Sequence, residues 1–215
     1  MYQGQALQDK FVLNVLKNKY NGYFIEIGSN HPINNNNTYL LENSYNWRGV
    51  MIEYVNTWEH LYKVHRKNSI HIIDDATKIN YRSLFDNNNI PENIDYLQID
   101  LDVTNNSTID TLIKLDEEVF NKHKFATITF EHDVFRGKQY EKTRTLSRDI
   151  FKKRGYECVF EDIQDKVPDL VYEDWYVHPE LVDMKYIEEL KIRNTSNYQY
   201  NSITEKSLDW RKIIY

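Results

Sequence analysis

The sequence predicts an α/β fold, a mainly parallel, Rossmann-like seven-stranded sheet flanked by helices. Short apolar runs alternate with helix-period segments along most of the 215 residues, which is the rhythm of βαβ units. After the fifth such run come two more, joined by a loop holding Pro168 in place of a helix. Between Tyr23 and Tyr54 a strand ends in Glu-x-Gly, and a polar loop and helix lead to a second strand that ends in Glu.

An opening helix is expected from Leu7 to Lys17, with Phe11, Val12, Val15 and Leu16 at i, i+3, i+4 spacing. Strands are expected at Tyr23–Gly28, Val50–Tyr54, Ile70–Asp74, Tyr96–Asp102 and Ala126–Asp133, then Glu157–Glu161 and Leu170–Val177. Helices fall near Thr38–Asn43, Thr57–Lys67, Ser107–Asn121 and Gln139–Arg154, the last stopped by Gly155 at its C′ position. The main domain is placed at 1–182 and a C-terminal extension at 183–215. That extension begins with a helical stretch, KYIEELKIRN, and its polar remainder reads equally as a docked cover or a self-association element, which leaves a homo-oligomer open.

Composition narrows the classes. A net charge of −6 gives no general electrostatic footprint for nucleic acid. The single cysteine, Cys158, excludes a disulfide framework and a cysteine zinc cluster. No stretch approaches a membrane span and the first residues lack an apolar signal core. The expectation is a soluble cytoplasmic protein.

The strand–loop–helix–strand–acid order is how α/β domains hold a nucleoside-type cofactor: the first βα turn offers backbone N–H groups and the second strand's acid takes ribose hydroxyls. Gly28 is the only glycine in that turn, so the Gly-x-Gly-x-x-Gly dinucleotide fingerprint is absent. With no pyrophosphate to approach, S-adenosylmethionine is a better candidate than NAD. Glu53 follows Gly28 by 25 residues, close to the interval at which an acid reaches a ribose. Asn37 and Thr38 are candidate N-caps beside that cofactor. The strand end Asp74-Asp75-Ala76 stands where an adenine would lie.

The stretches QDKF, GYFIEIGSN, NNTYLLE, WRGVMIE, DYLQIDLD, FATITFEHD and EDWYVHP, collinear from about Gln5 to Val182, resemble FkbM-type S-adenosylmethionine-dependent methyltransferases. The resemblance implies the class I methyltransferase fold and transfer to a hydroxyl, often on a sugar or a polyketide-linked group. It implies that Glu26, Gly28 and Ser29 line the methionine moiety, Glu53 the ribose, and Asp75 with Ala76 the adenine. It brings Gln8 to the cofactor from the opening helix. The loop departs from the pattern at His31-Pro32 and the Asn34–Asn37 run.

For the reaction itself, period-two alternation puts Asp100 and Asp102 on one face of their strand, and Glu131 and Asp133 on one face of the next. Such an all-oxygen set suits Mg²⁺ or Mn²⁺, which could bind substrate oxygens and lower a hydroxyl pKa. Helix capping by Asp102, or pairing with Arg136, is the plainer reading of the same acids. Asp100 has a second candidate role at the cofactor's amino group. His132 and His178 are candidate general bases. The aromatic and acidic segment Glu173, Asp174, Trp175 and Tyr176 suits stacking on a sugar face and accepting its hydroxyls, with a core Trp as the structural alternative. Arg136 could meet an anionic group on the substrate. The expected partner is therefore a small hydroxylated acceptor, a sugar or glycan. Two other classes stay open: a non-catalytic nucleoside-binding protein of the same fold, and an RNA 2′-O-methyltransferase, which the acidic balance disfavours.

Overall fold

The structure, a computed structural model, describes residues 2–164 and 170–196. Helix α1 spans Gln8–Val15, and β1 (Tyr23–Ile27), α2 (Tyr39–Tyr45), β2 (Arg48–Glu53), α3 (Glu59–His65) and β3 (Ile70–Ile73) follow. Next come α4 (Tyr81–Asn87), β4 (Asn93–Ile99), α5 (Ser107–Glu118), β5 (Lys124–Glu131) and α6 (Glu141–Lys153). The chain ends its described part with β6 (Glu157–Gln164), β7 (Val171–Val177) and α7 (Met184–Ser196). The strands form one sheet in the order β3-β2-β1-β4-β5-β7-β6, with β7 antiparallel to both neighbours and every other pairing parallel.

Helix α4 has no counterpart among the expected elements. Only Tyr81 and Phe85 of its seven residues are buried, too little apolar periodicity to read, although Asn80 caps it by accepting from the Ser83 amide at 2.8 Å. Helix α6 does end as expected: Gly155 takes φ +85°, the left-handed stop.

Two apolar cores lie on opposite faces of the sheet. Residues from α4, α5 and α6 pack over Ile25, Ile52, Leu97, Ile99, Ile128 and Phe130. Residues from α1, α2, α3 and α7 pack over the alternate side chains Phe24, Met51, Tyr96, Trp175 and Val177. Ile187 and Leu190 of α7 are buried in this second core, while residues 197–215 of the expected extension lie outside the described part. No helix among the described residues is long and apolar enough to cross a membrane.

The register sets up the site. On the α1 face Glu26, Gln98, Thr129 and Trp175 stand side by side across β1, β4, β5 and β7. Two residues further on, the same face carries Gly28, Asp100, Glu131 and Glu173, at the edge where the parallel strands end.

Candidate active site

The turn after β1 is held tightly against the ends of both neighbouring strands. Gly28 and Ser29 donate their amides to the Ile52 carbonyl at 2.9 and 3.1 Å. Gly28 has φ +90°, and a Cβ there would meet the Asp100 carbonyl oxygen at 1.8 Å. Only glycine permits both the left-handed conformation and this approach.

Glu53 stands at the end of β2 with its carboxylate accepting from the Asn30 amide at 2.7 Å and the Val55 amide at 3.1 Å. A carboxylate offers about four lone-pair directions, so acceptor capacity remains. Beside it opens a cleft of about 420 Å³ lined by Tyr54, Asp75, Ala76, Leu101, Asp102, Asn105 and Ser107. Asp75 holds Thr77 through its amide and hydroxyl and pairs with Lys78 at 3.0 Å, contacts that keep its carboxyl below the usual range.

At the inner end, Glu26 is fully buried. Its Oε2 accepts from Asn36 Nδ2 at 3.1 Å and lies 3.9 Å from the Arg66 guanidinium. Burial pushes its pKa up to about 7, against the pull of the Arg66 guanidinium and of the Asn36 amide. Its Oε1, and the Oε1 of the neighbouring Gln98, are buried with no donor from the described residues. Thr38 makes no side-chain cap to α2; its hydroxyl and amide meet Asn36 Oδ1 instead. Asn37 is buried, with its Oδ1 likewise lacking a donor among the described residues.

Across β4, β5 and β7 run the carboxyls of Asp100, Glu131 and Glu173. Burial raises Asp100 and holds Glu131 well above the ordinary glutamate range, with Asp100 and Asp133 both within hydrogen-bonding reach of Glu131. Burial lifts Glu173 to about 8, although Trp175, Gln8 and Thr129 hydrogen-bond to it. Gln8 reaches it from α1, Nε2 donating to Oε2 at 2.9 Å.

Several expectations are corrected here. Strand β4 stops at Ile99, so Asp102 does not share a face with Asp100. It turns outward and takes the amide and hydroxyl of Thr104 at 2.9 and 2.6 Å, the capping alternative. Strand β5 stops at Glu131, and Asp133 takes φ +52° and pairs with Arg136. The four-carboxylate metal set is therefore not assembled. Asp100, Glu131 and Asp133 form a string with Glu131 in the middle, which shares protons more readily than it encloses an ion. Among the described residues, three ligand atoms within 4.8 Å of one another occur at His132, Asp162 and Asp174. Arg148 and Arg144 already fill that cluster, at 2.7 Å from Asp174 and 2.9 Å from Asp162. These residues do not fit a cation either.

His132 is fully buried with Nε2 3.5 Å from Asp174, away from the cleft. Burial is overcome by the hydrogen bonds of Arg148, with His132 close by, and Asp174 is held well below the ordinary carboxylate range, so its oxygens are committed inside the fold. His178 sits at the opposite edge of the sheet, its amide on the Ala126 carbonyl near the start of β5, because β7 runs antiparallel. Trp175 stacks on Phe11 with centroids 4.7 Å apart, and Tyr176 packs on Phe151 at 4.5 Å. Both are core residues, so a Trp175→Ala variant is expected to cost about 3–5 kcal/mol in chemical denaturation. Arg136 is half-exposed and engaged with Asp133.

The residues that sequence reading did not single out are Asn36, Arg66 and Gln98. Glu173 was expected to accept sugar hydroxyls with the rest of the EDWY run; the structure sets it at the strand-end edge, two residues before Trp175 on the same face.

No family model matches the chain, and no curated protein matches it by sequence. Solved structures do. One, from Clostridium thermocellum and assigned provisionally as an rRNA-methylase, is 11% identical, with a TM-score of 0.52 over 82% of this chain and 98% of that one. Another, a TehB-like SAM-dependent methyltransferase from Corynebacterium glutamicum, is 9% identical, with a TM-score of 0.50 over 80% and 86%. At these identities the likeness speaks for architecture, and with the strand order above it gives the conclusion directly: the chain has the class I methyltransferase fold.

Proposed function

We propose that the protein is an S-adenosylmethionine-dependent O-methyltransferase of FkbM type, acting on a hydroxyl of a small acceptor such as a sugar or glycan. The observation that carries the reading is the pair of adjacent buried acceptors, Glu26 Oε1 and Gln98 Oε1, beside the Gly28 turn. Two such oxygens without a donor are costly inside a protein and fit an ammonium group. The polar groups along the strand ends agree with the rest of the cofactor: Glu53 to accept from ribose hydroxyls, and the cleft at Asp75 and Ala76 for the base.

When bound, S-adenosylmethionine supplies an electrophilic methyl group on a positively charged sulfur. The chain's own residues do the rest. Gly28 and Ser29 fix the turn, Gln8 and α1 cover the site from one side, and the Asp100–Glu131–Glu173 row faces the acceptor end. As the acceptor oxygen takes the methyl group, its proton passes to a carboxylate of that row. Glu173 is suited to this, since burial lifts it to about 8, which leaves a fraction of it ionised near neutral pH and makes that carboxylate a stronger base than an ordinary one. This reading moves the proton acceptor from the two histidines to the carboxyl row.

Calorimetric titration tests the cofactor assignment. Wild type is expected to bind S-adenosylmethionine, and Glu53→Ala to bind about 10–100-fold more weakly, the worth of charge-assisted hydrogen bonds to two hydroxyls. Equal affinities for both proteins contradict the assignment. A labelled-methyl screen over nucleotide sugars, free glycans and small phenols then identifies the acceptor, and transfer to RNA alone contradicts the small-acceptor reading.

A further inference from the structure

We propose that Arg66, which lies outside the lining of the cleft, is a positioning residue: it orients Asn36 and occupies one side of Glu26, leaving the other oxygen to receive an ammonium group. The inference rests on the cofactor reading above and adds a residue that neither the motif nor the fold assigns.

Arg66 follows α3 immediately and is fully buried. Its guanidinium donates to Glu42 Oε2 through Nε at 2.9 Å, to Asn36 Oδ1 at 2.8 Å and the Pro32 carbonyl at 3.3 Å through one terminal nitrogen, and to Thr38 Oγ1 through the other at 2.6 Å. It also lies over the Phe24 ring, 5.6 Å from the centroid. A buried arginine must find partners for its fork of donors, and here it finds them on Pro32, Asn36 and Thr38 of the loop between β1 and α2 and on Glu42 of α2 itself.

The consequence runs through the Asn36 amide. With Oδ1 taken by Arg66, Nδ2 is committed to donating, and it does so to Glu26 Oε2 at 3.1 Å and the Ser29 carbonyl at 3.0 Å. A flipped amide would set a carbonyl against a carboxylate and an NH₂ against a guanidinium, so the network admits one orientation. Glu26 is thereby satisfied at Oε2 only. Its Oε1 is left beside Gln98 Oε1, and both are buried without a donor among the described residues. That asymmetry gives the site a direction.

The charge matters as much as the geometry. Around Glu26 stand Arg66 after α3, Tyr62 within α3, Tyr96 and Gln98 on β4, Asn36, Thr38 and Ser29 in the loop, and Asp100 just past the end of β4. Glu42 of α2 lies behind Arg66. Burial keeps both tyrosines neutral well above pH 10, and Arg66 is the only cation in the group. It opposes the burial that favours the neutral acid, which would repel no ammonium but would hold it poorly.

The test is binding, independent of any acceptor. S-adenosylmethionine and S-adenosylhomocysteine, which share the ammonium, are titrated calorimetrically from pH 5.5 to 8.5 into wild type, Arg66→Lys, Arg66→Met and Glu26→Gln, with circular dichroism to confirm folding. For wild type, affinity is expected to fall as the pH drops through about 7, where Glu26 takes up a proton. In Arg66→Met the midpoint moves up by about one unit or more, since an opposite charge at this range shifts a carboxyl by 1–3 units. Arg66→Lys, which keeps the charge but not the fork, lies between and carries the test should the methionine variant not fold. Glu26→Gln loses this pH step altogether. A folded Arg66 variant that weakens binding by one factor at every pH, with the midpoint in place, shows a merely structural role and overturns the inference alone. Wild type that binds neither ligand at any pH removes the cofactor reading, and this inference with it.

Discussion

A Gly28→Ala variant is expected to lose S-adenosylmethionine binding and to unfold about 6–12 °C below wild type in thermal denaturation. The added Cβ would sit 1.8 Å from the Asp100 carbonyl oxygen, inside bonding distance, and the obstacle is backbone rather than a side chain that could swing aside. The residue also holds φ +90°, which costs an alanine about 1–3 kcal/mol before any clash. Relief requires β1 and β4 to part at their ends, breaking the Asp100 amide bond to Ile27 at 2.9 Å and the Gly28 bond to Ile52 at 2.9 Å. A loss of about 3 kcal/mol follows, and in a chain of this size each kcal/mol is worth roughly 2–4 °C. Both effects share one cause, so a variant that keeps wild-type stability and affinity contradicts the geometry of the turn.

The second large effect is on stability against pH. Burial raises Glu173 to about 8 and Glu26 to about 7, from an ordinary value of 4.5. An acid whose folded pKa is raised holds its proton longer in the folded than in the unfolded chain. Its stabilising share is therefore present in full at low pH and is lost as the pH climbs through the folded value. His71 and His178, both depressed first by burial, work in the opposite direction below about pH 6.5, so the clean window is pH 7 to 9. There the free protein is expected to lose about 2 kcal/mol, roughly 4–8 °C in melting temperature, mostly as Glu173 ionises beside Asp100. Glu173→Gln keeps an acceptor for Gln8 but cannot ionise. It should melt above wild type at pH 9 and at a nearly constant temperature across the window, while methyl transfer falls by about 100-fold or more. A Glu173→Gln profile that follows wild type contradicts the assignment of the buried proton.

These two residues also mark how far the sequence could be read. Gly28 was legible because a strand ending in Glu-x-Gly has few structural explanations, and the βαβ frame except α4 followed from apolar periodicity. The absence of a helical pattern between the last two strands set that pair apart from the first five, whereas the strand order and the reversal of β7 carry no local pattern. Where strands stop was not legible. Ending β4 at Ile99 instead of Asp102 releases Asp102 from the expected face, and ending β5 at Glu131 lets Asp133 turn to Arg136. Period-two arguments hold only while the chain stays extended. Direction was the other limit: with β7 reversed, Glu173 arrives at the site edge and His178 at the far one. Arg66 and Asn36 illustrate a third limit, since a buried arginine and one asparagine in a run of four carry no local pattern. Their roles come from long-range packing.

The central claim is that the ends of β1, β2, β3 and β4 on this fold hold S-adenosylmethionine, and amide chemical-shift mapping of the ¹⁵N-labelled protein tests it most directly. On titration with S-adenosylmethionine the account predicts saturable shifts at Gly28, Ser29 and Asn30, at Glu53 and Tyr54, at Asp75 and Ala76, and at Asp100 and Leu101, with His178 and Gly155 at the opposite edge unmoved. An absence of saturable shifts, or shifts gathered at that opposite edge, would contradict it.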